Sequence, residues 1–158
     1  MKKRYLVIII LIISLLFGIY VSSIQKQQRQ QKEAANQLLI NCLTDAGTCF
    51  GVDYTKMEEQ DKIYEYIRAS ANLHTALYIL PYTSYADDKN NNKELVNAIS
   101  GLYQTMTIQS TPKSTNRLKA VTEKEESIRK YLHNISVNPN DENSCKALYK
   151  ISNDIGIN

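Results

Sequence analysis

Between Tyr5 and Val21 the chain carries 17 residues without a single charge, and most of them are Ile, Leu, Val or Phe. Extending the run to Ile24 gives 20 residues, which as a helix reach about 30 Å, the thickness of a hydrocarbon core. A segment in lipid has to satisfy its own backbone, so this reading requires a helix. Ser14 and Gly18 are compatible with one. Lys2, Lys3 and Arg4 precede the run and favour a cytoplasmic N-terminus, although Lys26, Arg29 and Lys32 beyond it weaken the asymmetry.

The run therefore reads as a transmembrane signal-anchor helix over residues 5–24, after a cytoplasmic tail over residues 1–4. Membrane lipid is then the first partner, and the rest of the chain lies extracytoplasmic at the cell membrane. A cleaved signal peptide is the rival, with small residues at Val21-Ser22-Ser23. The apolar run exceeds the roughly 7–15 residues of a leader core.

Of the 19 basic residues, Lys2, Lys3 and Arg4 lie before the run, leaving 16 against 16 acidic ones in residues 25–158. A neutral domain argues against a nucleic-acid partner, which calls for a basic face. The length after residue 24 suffices for one domain with a core. Only Pro81, Pro112 and Pro139 and four glycines follow the run, which suits long helices.

Residues 25–33 contain good helix formers and nothing apolar, and read as a polar helical stalk. The bundle domain then covers residues 34–158. Ala35, Leu38, Leu39, Cys42 and Leu43 begin a helical apolar stripe that Gly47 is placed to terminate. Thr55 and Glu58 have capping-box spacing for a second helix over 56–80, whose inward face reads Ile63, Ile67, Ser70, His74 and Leu77, broadened by Tyr66, Leu73 and Leu80. A loop follows Pro81. A third helix covers about 93–109, and Thr111-Pro112 breaks it. A fourth, about 115–135, has the seam Leu118, Val121, Glu125, Ile128, Leu132 and Ile135, with steps of three and four. Asn140 or Asp141 caps a last helix carrying Cys145, Leu148, Tyr149, Ser152 and Ile155 inward. The fold class is all-α: an N-terminal transmembrane helix followed by an antiparallel bundle of four to five helices.

The search for chemistry yields little. The spacing of Cys42, Cys49 and Cys145 fits no zinc motif, and neither His74 nor His133 belongs to a Glu-x-x-His pair. The stretch from Asp88 starts like a calcium loop but has Lys93 where glycine is needed and Ile99 where glutamate is needed. No nucleophile with a base, phosphate loop or paired catalytic carboxylates is visible, so the reading is a non-enzyme without cofactor or metal. His74 and Glu125 are the candidate buried polar groups. Asn134-Ile-Ser136 matches a glycosylation triplet, a short pattern that carries little weight.

In an oxidising compartment, Cys42 and Cys49 are expected to form a disulfide across the first chain reversal, with Cys145 unpaired at the opposite end. Tyr82 and Tyr85 follow the helix that returns toward the bilayer and are candidates for the membrane interface. The functional expectation is a single-pass anchored domain that acts by protein–protein interaction, of accessory, inhibitor/immunity or lysis-regulator type. The alternatives are an anchored bundle that senses a small molecule and signals through a partner, and a helical protein secreted after leader cleavage.

Overall fold

The computed structural model describes residues 2–87, 91–107 and 114–157, with backbone alone for 2–13, 91, 114–117 and 156–157. Among the described residues the regular structure is entirely helical. Helix α1 spans Lys2–Cys49, α2 Glu59–Ile79, α3 Asn91–Thr107, α4 Ser114–Thr122, α5 Glu125–Val137 and α6 Glu142–Ile157. Short 3-10 turns at Tyr54–Lys56, Leu80–Tyr82 and Ser84–Asp87 join them.

The organising element is α1. Its 48 residues make one unbroken helix about 72 Å long. From Ser14 to Tyr20 and from Gln25 to Gln31 its side chains are exposed, and a side chain at Gly18 would touch nothing. Leu39, Cys42, Leu43, Ala46, Cys49 and Phe50 are then buried in the core. The stem and the first core helix are thus a single element. Among the described residues no helix is long and apolar enough to cross a membrane. The side chains of residues 5–13, over half of the apolar run, lie outside that description.

The helices form a closed circuit. α1 packs against α2 and α5, α3 against α2 and α6, and α5 against α6. The chain rises along α1, returns along α2, rises along α3, descends through α4 and α5 and rises again along α6. Side chains fix these directions. Asn36 donates to Ser84 Oγ at 2.8 Å and accepts from the Ser84 backbone N–H at 2.9 Å, and Lys32 pairs with Asp87. The turns after α2 therefore sit where the stem enters the bundle. The Tyr66 hydroxyl donates to the Met106 carbonyl at 3.0 Å, and that of Thr105 to the Ser152 carbonyl at 3.0 Å.

Several boundaries differ from the sequence expectation. Gly47 does not end α1. Cys49 and Phe50 continue the buried stripe past it, and a Cβ at Gly47 would meet Leu132 Cβ of α5 at 3.5 Å, an ordinary contact. Thr55 does not cap α2. Asp53 accepts its backbone N–H at 3.1 Å and its hydroxyl at 2.5 Å, drawing Thr55 into a separate 3-10 turn. The expected fourth helix is two, α4 and α5, broken at Glu123–Lys124. Its seam survives the break, since Val121, Ile128, Leu132 and Ile135 are all fully buried.

Asp141 does cap α6. Its carboxylate accepts the Ser144 backbone N–H at 3.2 Å and the Ser144 hydroxyl at 2.6 Å, which holds its pKa below the usual range. The Asn134 amide donates to the same Ser144 hydroxyl at 3.1 Å and Ser136 is buried, so the glycosylation triplet is built into the α5–α6 contact. The calcium-like stretch beginning at Asp88 and the Thr111-Pro112 break lie outside the described residues in whole or in part.

Candidate functional site

The face that α2 turns inward is centred on Leu73 and Leu80, at the edge of the expected face, and not on the stripe from Ile63 to Leu77. Ala69, Leu73, Ala76 and Leu80 are buried against α1 and α3, the alanines permitting close packing. Ile63 and Ile67 are 45% and 61% exposed, and Tyr64 and Tyr78 are 64% and 73% exposed. His74, expected on the core face, is exposed, and its ring lies 5.3 Å from that of Tyr103 on α3. The helix has apolar residues on two sides, and only one side fits inside the bundle. What remains is an uncharged outer band: Gln60, Ile63, Tyr64, Ile67, Ser70, Ala71, His74 and Tyr78. The α2 charges, among them Asp61, Lys62, Glu65 and Arg68, lie outside this band.

At the end of the bundle away from the stem, polar groups gather around Tyr54. Its buried hydroxyl donates to the Cys49 carbonyl at 3.0 Å, satisfying the last turn of α1. Glu125, first residue of α5, is partly buried here, and the backbone N–H of Tyr54 donates to its carboxylate. Its Oε2 is buried with no hydrogen-bond partner. Burial, with Asp53 and Glu126 adding negative charge, raises the Glu125 pKa above the ordinary glutamate value. Glu125 belongs to none of the described ion pairs.

Cys42, Cys49 and Cys145 are all free and buried. The expected Cys42–Cys49 disulfide conflicts with the continuity of α1. Seven residues of helix separate their Cα atoms by about 10.5 Å, beyond the roughly 6.8 Å that a disulfide spans. Burial pushes the Cys49 thiol up to about 12, helped by Glu65, and burial pushes Cys145 up to about 12. Neither has the lowered pKa of a catalytic nucleophile. No cluster of three or more metal-ligating side chains occurs among the described residues.

An open groove of about 560 Å³ lies between α1 and α5, with Thr44, Gly47 and Thr48 on one wall and Glu126, Arg129, Lys130 and His133 on the other. It is a surface feature, outside the helix circuit. Tyr82 is 65% exposed beside the stem, whereas Tyr85 is half-buried and packs on the core. No family model, curated protein or solved structure matches this chain.

Proposed function

We propose that the chain is a single-pass, membrane-anchored helical domain that acts outside the cytoplasm by binding another protein. The observation that carries this reading is the unbroken α1, which joins the uncharged run at Tyr5–Val21 to the core of the bundle without a hinge. A run of that length matches a hydrocarbon core, and the basic residues before it favour a cytoplasmic N-terminus. The eight steps of helix from Ile24 to Lys32 rise about 12 Å, so the bundle stands just above the headgroups. Tyr82 is the side chain best placed to reach them. The outer band of α2 supplies the apolar surface that a protein partner needs.

Crosslinking in native membranes followed by mass spectrometry tests the reading. A specific adduct through α2, together with an intact N-terminal mass, is the expected result. A mature chain beginning near Ile24 overturns the anchor and favours secretion. Small-molecule sensing is the second reading. What favours it is the α1–α5 groove with its mixture of Arg129, His133 and Glu126. Loss of adduct formation on substituting Ile67, with no effect of Arg129→Ala, separates the two.

A further inference from the structure

We propose that the uncharged band of α2 pairs in parallel with the same band of a second copy of this chain standing in the same membrane. This rests on the anchor reading above and names the partner it left open.

The band has the geometry of a helix-packing seam. Ile63, Ile67, Ser70 and His74 follow one another by steps of four, three and four, and a further step of three reaches Leu77 at the band's edge, the spacing with which one helix lies lengthwise on another. The seam extends over about 21 Å. Leu77 already packs partly on the core, and Tyr64 and Tyr78 flank the seam on its open side.

The direction of α2 narrows the occupant. α2 packs alongside the core half of α1, so its outer band runs along the side of the bundle and not across the end facing the stem. A bilayer that holds the stem meets that end, where Tyr82 lies, and not the length of the band. A neighbour rooted in the same bilayer meets the band side-on. Two copies of this chain then share one orientation, and a twofold axis parallel to the stems sets each residue opposite itself.

Such a surface has to be free of fixed charge, because any charge would face its own like. Every position of the band from Gln60 to Tyr78 is without a carboxylate, ammonium or guanidinium group. This holds in a domain with 16 basic and 16 acidic side chains, several of them elsewhere on the same helix. A partner chosen by ion pairing would find nothing to bind there.

The small area makes the shared membrane a requirement of the pairing. One face of a five-turn helix buries far less than the roughly 800 Å² per partner of a standard interface. Confinement to a shared membrane raises the effective concentration and lets a small contact suffice.

The test uses the full-length chain in phosphatidylcholine–phosphatidylglycerol vesicles, with Ile63→Cys, Ile67→Cys or Tyr78→Cys introduced singly and Glu142→Cys as an exposed control. The native thiols are buried and stay out of the reaction. Mild oxidation is expected to join each band position to itself, well above the control. Ile67→Glu and Ile67→Lys, each alone, are expected to abolish the Ile63→Cys crosslink, and mixing the two restores it. Equal helix content by circular dichroism shows that each variant folds.

Crosslinking no better than the control overturns the pairing. So does an Ile63→Cys to Tyr78→Cys adduct between copies, which signals antiparallel contact, or an adduct whose mass reveals a different protein. Carbonate extraction of the same vesicles reads the anchor separately. A chain that is extracted yet forms same-position crosslinks refutes the anchor and leaves the parallel pairing standing.

Discussion

Gly101 on α3 lies so close to Tyr149 on α6 that a Cβ added there would stand 2.8 Å from Tyr149 Cδ2 and 3.2 Å from Cε2. These two helices share the most extensive contact in the bundle. The Thr105 hydroxyl, one turn further along α3, donates across the same contact to the Ser152 carbonyl.

Replacing this glycine should therefore destabilise the fold despite the better helix propensity of the new residue. Gly101→Val is expected to cost about 1–3 kcal/mol, the range for overpacking a tight contact. The ring of Tyr149 is partly exposed, and Tyr149→Ala in the same chain should recover part of the loss. Urea unfolding of the two single variants and the double variant checks this. Strict additivity would show that the two positions do not meet.

Glu125 should give the protein a stability that falls as the pH rises. Its pKa is raised in the fold, first by burial and then by Asp53, so the folded state holds its proton more tightly than the unfolded chain does. The stabilisation is complete below the ordinary glutamate pKa and is lost as pH climbs through the raised value. Asp53, held at about 2 by Lys56 and Thr55, has the opposite sign, and its contribution is lost only in strong acid. Glu125→Gln isolates the first effect. Its melting temperature relative to the parent chain should rise from about pH 4 to about pH 7. A difference that does not change with pH refutes the assignment.

The thiols should be silent in the folded chain. Cys49 and Cys145, each pushed up to about 12, and buried Cys42 present no thiolate at neutral pH. A maleimide is expected to label none of them until denaturant is added, and all three thereafter. A non-reducing digest should contain no Cys42–Cys49 peptide. Finding that link would mean that the last two turns of α1 are unwound.

The sequence by itself determined the helical class, a last helix capped at Asn140 or Asp141, and the seam of Val121, Ile128, Leu132 and Ile135. Those features are local. A period of three to four apolar residues and an N-cap carboxylate report on neighbours within a few turns of the same chain. It also determined the uncharged run before the bundle.

Only tertiary structure decided which side of α2 faces inward. Both sides carry apolar residues, and the small side chains of Ala69 and Ala76 win because they let α1 and α3 approach, leaving Ile63, Ile67 and His74 outside. Tertiary packing also carried α1 past Gly47, because Cys49 beyond it is buried in the core with Phe50. That continuation separated Cys42 from Cys49 along one helix and removed their disulfide. The buried, unpaired Oε2 of Glu125 was likewise set by Asp53 and Tyr54, some seventy residues away in the chain. Periodicity within one helix does not encode such neighbours. They exist only once the circuit of helices closes.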